Sequence, residues 1–167
     1  AAFLDAFNYL GGEESISGLN EASSQGDKAY RELFPLLKKA ESTIDLENCP
    51  DLAPILFTLA ADCNGALFTS TARLKIKESD RAEAMATELR KFGVSVDVYE
   101  NEVIIIPTDF HAPTEILSGH NDHRIVMSLA VLATVTGGVI EGAEAVAKSF
   151  PDFFERIASL GIRFEEI

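Results

Sequence analysis

PDLAPILFTLAADCNGALFTSTARLKIKESDRAEAMATELRKFG (50–93) and NDHRIVMSLAVLATVTGGVIEGAEAVAKSFPDFFERIASLG (121–161) follow one plan. Each opens on an acid, Asp51 or Asp122, ahead of an apolar helical run. A glycine, a short strand-like stretch, a lysine and an amphipathic helix follow in the same order. The same 71-residue offset separates Asp51 from Asp122 and Lys77 from Lys148. The opening segment FLDAFNYLGGEESISGLNEASSQGDKAYRELF (3–34) reads as a third, truncated copy, because the spacing of 53 from Gly12 to Gly65 recurs from Asp27 to Asp80. Three copies of one supersecondary unit predict a pseudo-threefold α/β domain.

Periodicity supplies the elements. After Asp80, apolar residues at Ala82, Met85, Ala86, Leu89 and Phe92 make one buried helical face. Asp80 with Glu83 matches a capping box and Gly93 a stop; Ser149 with Asp152 and Gly161 repeat that pattern around Phe153, Phe154, Ile157 and Leu160. The runs 52–61 and 125–135 are apolar nearly all round and are expected to be central and buried. Strands are expected at 66–71, 94–99, 103–107, 138–141 and 162–165, with YENEV (99–103) as a hairpin turn. A helix over 28–39 should kink or end at Pro35. From there the chain passes directly through KKAESTIDL (38–46) to the next helix, so the first unit is abbreviated.

The 47% apolar content supports a substantial core, and a formal charge of -13 argues against nucleic acid and anionic membrane as partners. Small anionic substrates are compatible with it, since a few cations converging in a cleft suffice. Cys49 and Cys63 form no CxxC, which suits buried thiols in a reducing cytoplasm. The most apolar run, 126–135, is too short to span a bilayer, so a soluble chain is expected. The chain starts at Ala1 inside a helical pattern, AAFLDAFNYLGG, so the gene product is expected to begin upstream. P-loop, GxGxxG, GxSxG and Cys/His-dyad patterns are all missing, which leaves nucleotide binding and covalent hydrolysis unsupported.

The charged residues carry two readings each. Asp51 and Asp122 read first as helix caps. Lys77, Glu78 and Arg81 make either a solvated helix entrance or a group holding a small anion beside a proton donor, at a helix end with partial positive charge. His120 and His123 have HxxH spacing, but nothing nearby in the sequence supplies a third metal ligand, so no metal is expected. Arg124 opens an otherwise apolar helix and reads as an inward or end-on cation.

In order, PDLAP, RLKIKESDRAEAMATELRKFG, NDHRIVMSLA and KSFPDFFERIASLG, with SSQGDK before them, resemble the C-terminal part of the 5-enolpyruvylshikimate-3-phosphate synthase family. The resemblance covers essentially the whole chain. It implies one domain built of three βαβαββ-type units (about 1–45, 46–107 and 108–167) around buried helices, the enolpyruvyl transferase fold. A second domain, bearing a Gly-Ser-Lys-Ser segment, would lie outside this chain, and the active site would lie between the two. The implied reaction moves the enolpyruvyl group of phosphoenolpyruvate to the 5-hydroxyl of shikimate 3-phosphate and releases phosphate, with no metal or organic cofactor. By resemblance Asp51 binds and deprotonates the hydroxyl, Lys77 lies beside it and Glu78 exchanges the C3 proton. Arg81 and Arg124 hold the phosphoenolpyruvate carboxylate, Lys148 its phosphate, and His123 supports the group.

Two features depart from the family pattern. Arg73 stands where many relatives place an asparagine against shikimate 3-phosphate, and the segment 28–50 lacks a strand pair. Two other functions stay open on sequence: an enolpyruvyl transferase acting on a UDP-sugar, and a non-catalytic anion-binding domain.

Overall fold

The computed structural model describes residues 1–12 and 26–167. The EESISGLNEASSQ part of the truncated repeat (13–25), which includes the first half of SSQGDK, lies outside the described residues. Two helices form the centre: α3 (Ala53–Asp62), in which Ala53 through Ala61 are all buried, and α5 (His123–Thr136). They pack on each other and are apolar nearly all round, as the sequence implied, but burial in α5 stops at Leu132 and Thr134 and Val135 are exposed. Their hydroxyls find local acceptors: Thr58 donates to the Pro54 carbonyl at 3.1 Å and Ser128 to the Arg124 carbonyl at 2.7 Å. Each fully buried Leu, Ile or Phe here contributes about 1.5–3 kcal/mol.

Around them lie α1 (Ala2–Tyr9), α2 (Tyr30–Leu37), α4 (Arg81–Lys91) and α6 (Phe153–Ser159), with a four-stranded and a two-stranded sheet. The larger sheet has the order β1 (Thr43–Asp45), β2 (Ala66–Thr69), β4 (Glu102–Ile106), β3 (Ser95–Val98). β1 is parallel to β2; β2 and β3 run antiparallel to β4. β5 (Leu117–Ser118) and β6 (Ile140–Glu141) make the smaller, parallel pair. The chain thus contains two parallel crossovers, β1–α3–β2 and β5–α5–β6. Each is followed by a 3-10 turn, Ala72–Ile76 or Ala143–Lys148, and then by an amphipathic helix. The mixed α/β fold expected from the sequence is the one observed.

Several local expectations change. Asp80 does cap α4, accepting from the Glu83 N–H at 3.2 Å, and Asp122 caps α5 through the Arg124 N–H at 2.9 Å. Asp152 makes no such bond to α6; its carboxylate faces Arg156 at 3.5 Å instead. Asp51 is not a cap either: it sits in the 3-10 turn Pro50–Leu52 and its carboxylate turns toward α4. The stretch 162–165 is irregular, its residues mostly exposed and unpaired with any strand among the described residues. Pro35 lies inside α2, which ends two residues later. The abbreviated segment does hold a strand, β1, which has one buried residue, Ile44, between two exposed ones. Three residues give no readable alternation, which hid it in the sequence. Cys49 is buried and Cys63 half-buried, and burial pushes both thiols up.

Loop contacts then aim the site. The hairpin between β3 and β4 closes through the Tyr99 N–H to the Glu102 carbonyl at 2.8 Å. Its Asn101 side chain accepts from the Ala72 N–H at 2.9 Å and so anchors the turn leading to Lys77. Gly65 makes the tight return from α3 to β2 at φ +71°. A Cβ there would stand 2.3 Å from the Ile105 carbonyl oxygen, so any side chain would force β4 away.

Candidate active site

The entrances to α3, α4 and α5 meet, and Arg81 is where they meet. It is the first residue of α4, on the same face as Met85 and Leu89, and its side chain is only 2% exposed. A buried guanidinium needs compensating charge and full hydrogen bonding. It receives both. Nη1 donates to Asp51 Oδ1 at 2.6 Å, Nη2 to Glu78 Oε2 at 2.7 Å, and Nε to Asp122 Oδ2 at 2.8 Å. The two aspartates equivalent in the sequence repeat therefore converge on a single arginine.

The cations around this centre are arranged in the same way. Lys77 Nζ lies 3.0 Å from Asp51 Oδ1. Arg124 donates from Nη1 to the Asp51 backbone carbonyl at 2.9 Å and from Nη2 to Asp27 Oδ2 at 3.0 Å. Lys148 donates to the backbone carbonyl of Asn121 and to its side-chain oxygen, the latter at 2.8 Å. Each repeat-equivalent lysine thus reaches back to the entrance of its own first helix. Four acids, Asp27, Asp51, Glu78 and Asp122, face three cations, Lys77, Arg81 and Arg124, with Lys148 held beside them by Asn121. The cluster is close to neutral within a chain of formal charge -13.

Electrostatics separate the roles of the acids. Burial opposes the charge on Asp51, but the Lys77 hydrogen bond and the charges of Arg124 and Lys77 outweigh it and hold the carboxyl below its usual range. Asp122 is fully buried, and burial again opposes its charge. The hydrogen bond and charge of Arg81, with the Arg124 N–H and the Ser79 hydroxyl, outweigh it and keep the carboxyl low. Both are carboxylates at neutral pH. His123 has its pKa lowered by burial, so it stands neutral, with Nδ1 unpaired by a hydrogen bond and 3.5 Å from Glu78 Oε2.

Glu78, Asp122 and His123 also bring one ligand atom each within 4.8 Å of one another, a third-ligand arrangement that the HxxH spacing did not reveal. The Asp122 oxygens are already engaged by Arg81, Ser79 and the Arg124 N–H, and the Arg81 cation sits among them. This donor set suits an ion-pair network better than a bound cation. His120 turns the other way, toward Glu88.

All seven site residues proposed from the sequence, Asp51, Lys77, Glu78, Arg81, His123, Arg124 and Lys148, lie in or beside this cluster. Arg81, expected to face a substrate, faces protein carboxylates instead. Sequence reasoning missed Asp122 as an Arg81 partner, Asp27 as an Arg124 partner and Asn121 as the Lys148 acceptor. The 71-residue offset was the available signal for Asp122, since it marked that residue as the counterpart of Asp51. Arg73, the departing position, donates to the Glu47 carbonyl at 3.2 Å, in the loop before Asp51.

Known proteins share this arrangement of sequence. The family described as EPSP synthase (3-phosphoshikimate 1-carboxyvinyltransferase) matches residues 14–157. The 3-phosphoshikimate 1-carboxyvinyltransferase of Clostridium kluyveri is 42% identical over 99% of this chain and 43% of its own length. That of Brachyspira hyodysenteriae is 34% identical over 98% of this chain and 44% of its own length. The structure of EPSP synthase from Acinetobacter baumannii superposes with a TM-score of 0.80 at 24% identity, over 98% of this chain and 45% of that one. The chain spans less than half the length of these relatives. With the family matched across most of its residues, the chain belongs to the EPSP synthase (3-phosphoshikimate 1-carboxyvinyltransferase) family.

Proposed function

We propose that this chain is most of one domain of a two-domain enolpyruvyl transferase, whose other domain belongs to the same longer polypeptide. The full protein transfers the enolpyruvyl group of phosphoenolpyruvate to the 5-hydroxyl of shikimate 3-phosphate, releases phosphate, and acts in the cytoplasm. Among the described residues, no helix is long and apolar enough to cross a membrane. The observation that carries the reading is the convergence of Asp51, Glu78 and Asp122 on Arg81, with Lys77 and Arg124 alongside.

The chemistry asks for these groups. A vinyl carbon bearing a leaving phosphate resists direct displacement, so C3 must be protonated as the hydroxyl oxygen bonds to C2. Loss of phosphate and of a C3 proton then restores the double bond. Asp51, ionised and held by Lys77, takes the hydroxyl proton; Glu78, half-exposed at the helix entrance, gives and retakes the C3 proton. Neutral His123 adds no second cation beside Glu78, which already pairs with Arg81 at 2.7 Å. Arg124 and Lys148 hold the substrate carboxylate and phosphate. Arg81 joins Arg124 on the carboxylate when the substrate displaces Glu78 from its outer edge, which also frees Glu78 to act. No metal or organic cofactor enters this scheme.

The test is a substrate swap on the full-length protein. Phosphoenolpyruvate with shikimate 3-phosphate should yield phosphate and the enolpyruvyl ether, while a UDP-sugar as acceptor should yield neither. Turnover only with the UDP-sugar would move the assignment to that acceptor. Anion binding without turnover on either acceptor would leave a binding domain. The isolated chain should show little or no product, and near-normal rates from it would overturn the two-domain reading.

A further inference from the structure

α4 carries a second buried charge. Glu88 lies seven residues after Arg81, two turns along the same face and about 10 Å away along the axis, and is 1% exposed. Its carboxylate reaches the loop that enters α5. Oε2 accepts from the Ser118 N–H at 2.9 Å and lies 2.8 Å from Lys91 Nζ, while Oε1 lies 2.8 Å from His120 Nε2. Lys91 adds a bond to the Ile116 carbonyl at 2.9 Å.

The loop it holds is strained. His120 and Asn121 stand in succession at φ 49° and 53°, the left-handed region that side chains avoid. Gly119 before them is wedged between α5 and the end of β6: a Cβ would stand 2.6 Å from Val126 Cγ2 and 3.1 Å from the Glu141 carbonyl oxygen. Such a turn persists only where its surroundings over-determine it. Asn121 and Asp122, which it delivers, are the residues that hold Lys148 and Arg81. Among the described residues, none of these Glu88 partners belongs to the cluster around Arg81, so its reach to the site runs through the loop.

We propose that Glu88, through His120, is a positioning residue for the phosphoenolpyruvate-binding cations. α4 grips the 118–122 loop at both ends: Arg81 takes Asp122, and Glu88 takes Ser118 and His120. The register of the loop between those grips sets where the Arg81 guanidinium and the Lys148 ammonium stand. The proposal deepens the functional reading above and rests on it for the identity of the ligand.

The experiment uses the full-length protein with Glu88→Ala, Glu88→Gln, His120→Ala and His120→Gln. Glu88→Ala should raise KM for phosphoenolpyruvate about tenfold while KM for shikimate 3-phosphate stays within about twofold. His120→Ala should act in the same direction, and His120→Gln should recover most of the loss, because its amide can donate to Glu88. Alanine and glutamine bear the left-handed backbone equally badly, so their difference reads the side-chain bond alone. Glu88→Ala combined with His120→Ala should be no worse than Glu88→Ala. A lowered melting temperature with both KM values unchanged, or an equal rise in both, overturns the proposal. His120 is only half-buried, so its variants keep the question open to measurement if the Glu88 variants fail to fold. A readout independent of turnover is the 1H–15N resonance of Arg81 Nε, bonded to Asp122 in the unmodified protein. It should shift in Glu88→Gln and His120→Ala, and an unmoved resonance overturns positioning. An unmodified protein without turnover would count against the proposed function alone, with the Arg81 resonance still deciding this one.

Discussion

Glutamine in place of Glu78, or asparagine in place of Asp51, lowers turnover of the full-length protein by about 10²–10⁴-fold and leaves its melting temperature nearly unchanged. The two halves of that expectation have separate causes. Each substitution keeps the shape and a hydrogen-bonding oxygen but removes the ability to accept a proton. Stability is spared because both side chains reach water, at 45% and 37% exposure, each amide keeps an oxygen that can accept from Arg81, and Asp122 still neutralises the buried guanidinium. The pH profile sharpens the role of Asp51. In the free protein its cations hold its pKa below the ordinary 3.8, so the base is ionised well into acid. In the proposed reaction, bound phosphoenolpyruvate would engage Arg124 and so take part of that support away, raising the pKa. The acid limb of kcat should therefore lie at higher pH than the acid limb of kcat/KM. Full activity in both variants would remove Asp51 and Glu78 from the proton transfers.

Arg81 shows the opposite pattern. Arg81→Met should abolish measurable turnover and destabilise the fold by about 3–5 kcal/mol, the range for breaking a buried ion pair from one side. Most of that comes from Asp122, which has no exposure and would keep its charge without a counter-ion; Asp51 and Glu78 can turn to water. The sign with pH follows from the depressed carboxylates. Their stabilisation is fully present above the unfolded value near 3.8 and is lost as pH falls through the lower folded values. Urea melts across that acid range should show a steep loss for the unmodified protein and a shallower one for Arg81→Met. Equal slopes would mean that Arg81 does not hold these acids low. Arg81→Lys should fall between, since an ammonium carries the charge but not the planar fork that reaches three carboxylates.

Much of this was legible in the sequence where a pattern was long enough to carry it. The all-apolar runs of α3 and α5 announced the centre, and the 3-4 spacing after Asp80 announced α4 with its cap. Short elements were hidden. β1 and β5 have three and two residues, and what holds them is pairing across the crossovers, which leaves no periodic trace; β6 fell inside the strand expected at 138–141. The site residues were readable as types in order, but their partners were not. Asp122 looked like a cap and is one, yet the same carboxylate also neutralises Arg81 from 41 residues away. One side chain answering two local demands reads as the commoner of them.

The meeting of three helix entrances on one guanidinium also bears on the order in which the chain assembles. Arg81 finds its aspartate partners 30 and 41 residues away, on opposite sides of it in the chain. Neither carboxylate gains from losing its water until both crossovers have docked on α4. The ion cluster is therefore expected to close after the apolar packing of α3 against α5, late on the folding route. Interactions made late leave the folding rate almost untouched and act mainly to slow unfolding. The charges proposed to bind the substrate would thus also serve as the latch that keeps the two crossovers together, setting how long the native state lasts more than how fast it forms.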